Sequence, residues 1–358
     1  MSDGMPEGRA IVYCEGAFGT TNGKTAHGLV RRTRRYEVLS VIDSRRAGED
    51  AGEALDGASK GIPIHRDLAE AVRAAGKAGT EATHFVVGLA PDGGRLAGRD
   101  REAVAEALRS GLNVDCGLHD FLSEDPELSA LAAGRGAAIR DVRKPPPRER
   151  LHFFSGNIEK VGATRIALLG TDSAVGKRTT AWVLVEALTS AGIKTELIGT
   201  GQTAWMQGAR YGVMLDSLVN DFVTGEIEHA VWTCWQETRP EVIVLEGQGS
   251  LLNPAYPGGF ELVAAGRPHM IVLQHAPSRK HYDGFPAYPM HPLDVQIRAV
   301  ELIAGKPVVA VTVNHEGLDA AGTRAAREEI ARSTGLPATD VLLDGPGVLL
   351  DAVRARLA

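Results

Sequence analysis

Residues 168 to 188 read LLGTDSAVGKRTTAWVLVEAL, in which Gly170 is followed by five residues and then by Gly176 and Lys177. A glycine-rich turn that ends in Gly-Lys and opens a helix can hold phosphate, because backbone N–H groups, the positive helix end and the lysine ammonium converge on one anion. The loop comprises Gly170, Thr171, Asp172, Ser173, Ala174, Val175, Gly176 and Lys177, with Arg178 and Thr179 behind it. Arg178 stands where such loops usually place the serine or threonine that ligates magnesium. A guanidinium ligates no cation, but it carries a permanent charge and a fork of donors suited to phosphate oxygens. Lys177 and Arg178 would then neutralise a diphosphate without metal, and the loop would bind phosphates without splitting them. The competing reading turns Arg178 onto the helix flank and gives a metal to Thr179 or Thr171. Two further residues belong with the loop. EVIVLEGQGS ends an apolar run in Glu246, the place for an acid beside phosphates, with Gly247 and Gly249 allowing close approach of the backbone. VAVTVNHEG ends another run in Asn314, which either reads a nucleotide base or caps a turn.

The elements that must position these residues follow from short apolar runs alternating with helix-like segments, the pattern of βαβ units and parallel sheets. The fold class expected is α/β throughout, a Rossmann-like parallel sheet followed by a P-loop NTPase-like parallel sheet. In the first half the expected strands are 10–14, 37–43, 83–89 and 113–117, and REAVAEALRSGL (101–112) shows helical spacing. DVRKPPPRER (141–150) has three consecutive prolines, which lack N–H donors and fix φ, so it reads as an extended linker. The boundary falls there, giving domains 1–145 and 146–358. Expected strands of the second half are 165–169, 195–200, 241–247, 269–275, 307–314 and 340–345. The first half opens with EGAFGTTNGKTAHG (15–28) and a strand ending in Asp43, where dinucleotide folds grip ribose. Gly16, Gly19 and Gly23 match neither GxGxxG nor a phosphate loop, so the alternative is a tight turn with Asp43 as a cap. His119 could face the same crevice or simply pack.

Composition bounds the rest. With 358 residues, 44% hydrophobic and 23% charged, the chain can build two cores. A net charge of -6 gives no basic face for a nucleic-acid partner. Cys14, Cys116 and Cys234 are far apart, without a CxxC pair, which suits a reducing compartment and argues against a disulfide framework or a thiolate zinc site. The polar, acidic opening MSDGMPEGRA and the lack of a long apolar run lead to the expectation of a cytoplasmic chain without signal peptide or membrane partner.

The loop, one residue longer than the common form, resembles that of dethiobiotin synthetase, which reads similarly through GTD. Over nearly the whole chain a broader resemblance appears. GTDSAVGKRTTA, GTGQTAWMQGARYG, DSLVNDFVTGEIEHAV, EGQGSLLNPAYPGGFEL and LQHAPSRKHYDGFP, with KTAHGLVRR, VIDSRRAGEDAGE, VGLAPDGGRL and GLHDFL in the first half, look like a bacterial family long catalogued as a domain of unknown function. Its members pair a Rossmann-like N-terminal domain with a P-loop C-terminal domain. Some are described as D-amino-acid N-acetyltransferases, D-glutamate N-acetyltransferase in particular, working beside a mandelate-racemase-like partner. The resemblance implies transfer of an acetyl group from acetyl-CoA to the amine of a glutamate-like D-amino acid, with the loop anchoring cofactor phosphates and no metal. The alternatives are an ATP- and magnesium-dependent ligase or kinase of the dethiobiotin synthetase type, and a non-catalytic nucleotide-binding regulator. Amide formation needs a base and oxyanion donors. Glu246 or His275 is the preferred base, with Asp172 a further catalytic candidate at the same sheet edge. Thr200, Gln202 and Thr203 would hold the substrate carboxylate, Arg210 and Lys280 the second one, and Gln248 completes the substrate set. A homo-oligomer is expected.

Overall fold

The computed structural model describes residues 6–357. The chain divides into two compact units: the described residues up to Pro146 together with Gly201–Ala209, and Pro147–Thr200 with Arg210 onward. A linear division at 145/146 therefore misses one feature, because nine residues beyond the linker belong to the first unit.

The first unit is a six-stranded sheet in the order β3-β2-β1-β4-β5-β6. Its strands are β1 (Gly8–Tyr13), β2 (Tyr36–Ile42), β3 (Ile64–His65), β4 (His84–Val87), β5 (Asn113–Cys116) and β6 (Ile139–Asp141). Every pairing is parallel. Helices cover both faces of such a sheet, so its central strands are apolar on both sides; β4 is buried at all four positions. The connecting helices are α1 (Lys24–Arg31), α2 (Ala51–Asp56), α3 (Leu68–Lys77), α4 (Gly98–Arg109) and α5 (Pro126–Arg135). Local sequence starts them: Asp125 caps α5 by accepting from the Glu127 and Leu128 N–H groups, with Pro126 in the first turn.

The second unit is a seven-stranded sheet in the order β15-β14-β11-β7-β10-β8-β9. Its strands are β7 (Thr164–Gly170), β8 (Thr195–Gly199), β9 (Tyr211–Gly212), β10 (Val242–Glu246), β11 (Met270–His275), β14 (Val308–Val313) and β15 (Ala338–Thr339), with a separate antiparallel hairpin of β12 (His281–Tyr282) and β13 (Phe285–Pro289). Its helices are α6 (Lys177–Ser190), α8 (Asn220–Thr238), α9 (Phe260–Gly266), α10 (Leu293–Ala304), α11 (Ala320–Thr334) and α12 (Gly347–Arg354), while α7 (Gln202–Met206), which follows β8 along the chain, belongs to the first unit. Strand β7 lies between β10 and β11, parallel to both. The phosphate loop thus leaves the sheet at its centre, flanked by the carboxyl ends that carry Glu246 and His275. No helix among the described residues is long and apolar enough to cross a membrane.

The expected strand at 340–345 is a correction. Asp340 Oδ1 accepts the N–H groups of Leu342 and Leu343, forming a turn, and both leucines are exposed. The sheet edge is the two-residue β15 just before it. An aspartate that bonds the backbone two and three residues on stops a strand, whatever apolar residues follow.

Candidate functional site

Thr171 is the last loop residue tied to the sheet, its N–H donating to the Gln274 carbonyl at 2.9 Å. Beyond it the backbone turns through left-handed geometry at Ala174 (φ 51°) and Gly176 (φ 104°), the latter accessible only to glycine at low cost. Gly176 is the N-cap of α6 and no side chain caps that end, so the first-turn N–H groups face the hollow of the loop. Lys177 is buried, and its Nζ donates to the Asp172 and Gly249 carbonyls at 2.7 Å each. The ammonium therefore spans the loop and has to exchange carbonyl oxygens for phosphate oxygens when an anion enters.

Several loop-facing residues are scaffold. Asp172, a catalytic candidate in the sequence, is fully buried and accepts four donors. The Ser173 N–H (2.7 Å) and Asn253 Nδ2 (2.8 Å) reach Oδ1, while Arg279 (2.9 Å) and the Asp283 N–H (2.9 Å) reach Oδ2. A carboxylate whose lone pairs are spent in this way takes no proton from a substrate; it ties two neighbouring loops to the phosphate loop. Asn314 follows the turn-capping alternative: its Oδ1 accepts the Glu316 N–H, and its Nδ2 donates to the Val175 carbonyl at 3.0 Å, which clamps the loop. Thr200, expected to hold a substrate carboxylate, is fully buried and instead donates its N–H to Glu246 Oε2 and its hydroxyl to the Glu246 carbonyl, at 2.9 and 3.0 Å. Gln248 donates to the Thr200 carbonyl. Gln274, Asn253, Arg279 and Asp283 were not singled out in the sequence. Gln274 had a signal, a polar residue within the apolar run MIVLQH; its Oε1 accepts the Thr180 and Thr312 hydroxyls at 2.6 Å each.

The electrostatics centre on Glu246. It is buried, and burial raises its pKa, opposed first by the Arg178 charge, then by the Thr200 N–H and by Lys177. Arg178 is half-buried and its charge bears on that carboxylate at the sheet edge. His275 shares a 2.9 Å hydrogen bond through Nδ1 with the Thr171 hydroxyl. Burial, with a smaller contribution from Lys280, pushes its pKa down to about 4. Loop, cations, Glu246 and His275 are thus brought together.

Other candidates lie elsewhere. Gln202 and Thr203 are part of the first unit, where Thr203 shares a 2.9 Å hydrogen bond with Thr25. Arg210 immediately precedes β9, the edge strand that pairs with the last residues of β8, and is engaged with Glu237 at 2.7 Å. Lys280 is exposed just after β11, close enough to act on His275. In the first unit, Asp43 accepts the N–H groups of Gly16, Phe18 and Arg45 at 3.0 to 3.1 Å, which occupies the carboxylate expected to grip ribose. His119 packs against Gly94, and its Nε2 lies 2.8 Å from Arg143.

The donor set fits phosphates: an uncapped helix start, an ammonium and a guanidinium around a loop closed by a left-handed glycine. It fits a magnesium complex less well, because the Thr171 hydroxyl is engaged with His275 and Arg178 fills the usual hydroxyl position, which leaves Thr179 as the hydroxyl of the metal-binding alternative.

Fold and site define a two-domain α/β protein, a Rossmann-like sheet followed by a P-loop sheet. Residues 44–145 match the Rossmann-like N-terminal domain of the DUF1611 family, described as a domain of unknown function, and residues 152–350 match its P-loop domain. The chain belongs to the DUF1611 family. A crystal structure of a family protein from Anabaena variabilis is 31% identical, with a TM-score of 0.89 over 98% of this chain and 100% of that one. A protein of Tritonibacter scottomollicae named D-glutamate N-acetyltransferase is 31% identical over 309 residues, 84% of this chain and 89% of the relative. One of the same name from a Pseudoalteromonas species is 29% identical, covering 76% and 80%.

Proposed function

We propose that the protein is an N-acetyltransferase that moves the acetyl group of acetyl-CoA to the amine of a glutamate-like D-amino acid, with the phosphate loop as a passive anchor. The observation that carries this reading is similarity along most of the chain to two relatives bearing that name. The arginine in the hydroxyl position supports it, since an acyl-CoA keeps its phosphates and calls for charge rather than for metal.

In the transfer the amine nitrogen bonds the thioester carbonyl carbon, the carbon–sulfur bond breaks, the amine loses a proton and the thiolate gains one. Geometry limits which residues serve it. If the loop holds the diphosphate, the pantetheine arm, about four residues' worth of chain, puts the acyl carbon up to roughly 14 Å away. Glu246 and His275 both abut the loop. Their part in this reading is to set the field and shape of the anion site, and the proton transfer belongs to groups at the far end of the arm. Glu246 offsets the cationic pair until phosphate arrives; His275 holds Thr171.

The test is an assay of the full chain with acetyl-CoA and D-glutamate, nucleotide and metal omitted. N-acetylated amino acid and free thiol in equal amounts are expected. Release of ADP from ATP that requires magnesium and an amino acid, without acetyl transfer, overturns the reading in favour of a ligase. Arg178→Thr weakens coenzyme A binding roughly ten-fold or more, the loss of a hydrogen bond to a charged group; higher magnesium-dependent ATP turnover in that variant contradicts the anchor role.

A further inference from the structure

Three aromatic residues stand in the two loops that Asp172 ties to the phosphate loop. Tyr256 follows β10 in chain order, and its N–H donates to Asn253 Oδ1 at 2.9 Å while the same Asn253 donates to Asp172. Its carbonyl accepts the Ser250 N–H and lies against Gly249, whose own carbonyl receives Lys177. Phe285 and Tyr288 are on β13, and the hairpin is fixed to the loop through the Asp283 N–H on Asp172. The hairpin is braced independently: Tyr282 is buried, with its hydroxyl 2.9 Å from His291 Nδ1, and the Met290 N–H donates to the Lys280 carbonyl.

The rings meet. Phe285 contacts Tyr256 at a centroid separation of 6.2 Å and Tyr288 at 6.3 Å, with interplanar angles of 68° and 81°. Both tyrosine side chains are half in water, each 52% exposed. One carboxylate inside the phosphate loop thus holds two separate chain segments whose aromatic residues meet edge to face and form an exposed aromatic wall. Core packing does not require that arrangement, since the rings are not buried. The half-exposed tyrosine rings of such a wall leave faces open to a flat ring, which is what aromatic faces hold best.

We infer that Tyr256, Phe285 and Tyr288 form a stacking site for the purine ring of an adenine nucleotide whose phosphates lie in the Gly170–Lys177 loop. The inference rests on phosphate binding at that loop. It is shared by coenzyme A and ATP, so it does not depend on which of the two is the natural ligand.

The test is calorimetric titration of the full chain, wild type and the variants Tyr256→Ala, Tyr288→Ala and their Phe counterparts. The ligands are coenzyme A, ATP with magnesium, inorganic pyrophosphate and pantetheine. Each Ala variant is expected to weaken the tighter adenine ligand roughly ten-fold, the scale of one base–aromatic stack, with pyrophosphate affinity unchanged and the Phe variants like wild type. Equal losses for pyrophosphate and the adenine ligand overturn the proposal, because the wall would then only support the loop. So does the absence of any loss, and so does a loss confined to pantetheine, which assigns the wall to the arm. Tight ATP and no coenzyme A binding, with the ring-specific loss intact, leaves the stacking site standing and removes the acetyl-CoA reading. A wild-type chain that binds none of the phosphate ligands sinks both.

Discussion

Asp172 shows how residue type and residue role part company. A carboxylate inside a phosphate loop reads from sequence as an acid, a base or a metal ligand, yet four donors, one of them the largely buried Arg279 guanidinium, leave it no chemistry except holding loops together. His275 carries a pH signature. Its native pKa of about 4 lies below the ordinary value of 6.5, so between those pH values the unfolded chain binds a proton that the folded chain does not. The stability His275 contributes is complete above pH 6.5 and is lost as pH falls toward 4. His275→Gln is therefore expected to make stability fall less between pH 7 and pH 4.5, measured by urea midpoints at both. Parallel decline of wild type and variant would show that His275 does not titrate in that window. Glu246 was legible at this scale, because an acid ending a run of β-branched and leucine residues has few places to be except a sheet edge.

Long central strands were legible at the scale of elements, since burial on both faces writes a continuous apolar run into β1, β4, β7, β10, β11 and β14. Short edges were not. β3, β9 and β15 have two residues each, too few for any periodicity, and exist because a neighbouring strand offers hydrogen bonds. The turn after β10 depends on Gly249, with φ 52° and a Cβ position that collides with the Tyr256 carbonyl. Gly249→Ala is expected to cost about 1–3 kcal/mol in urea unfolding and to weaken pyrophosphate binding, because the carbonyl that positions Lys177 moves with the turn. An alanine variant with wild-type values on both measures would show that this turn tolerates a side chain.

For the whole molecule, the informative feature is the short run 201–209, which follows β8 yet belongs to the first unit. Met206 is fully buried in that unit's core, the Arg35 guanidinium lies 3.7 Å from the Trp205 ring centroid, and Gln207 donates to the Gly28 and Arg32 carbonyls. Met206→Ala leaves a cavity and is expected to cost about 2–5 kcal/mol. Hydrogen exchange should then quicken in β1, β4 and β5, although residue 206 lies 60 positions past Pro146; faster exchange confined to β7, β10 and β11 would contradict this placement.

By itself the sequence determined that this chain is two parallel α/β units with a phosphate loop opening the second, because apolar periodicity, a triple-proline break and the Gly-Lys turn are local patterns and local chemistry produces them. Which polar side chains remain available to a ligand was decided only in three dimensions. Asp172, Asn314, Thr200 and Asp43 all stand at strand or loop ends suited to chemistry, and each is engaged in hydrogen bonds that include a partner distant in sequence. A hydrogen bond is satisfied by proximity in space, and proximity between residue 172 and residues 253, 279 and 283 comes from the order in which strands assemble in the sheet.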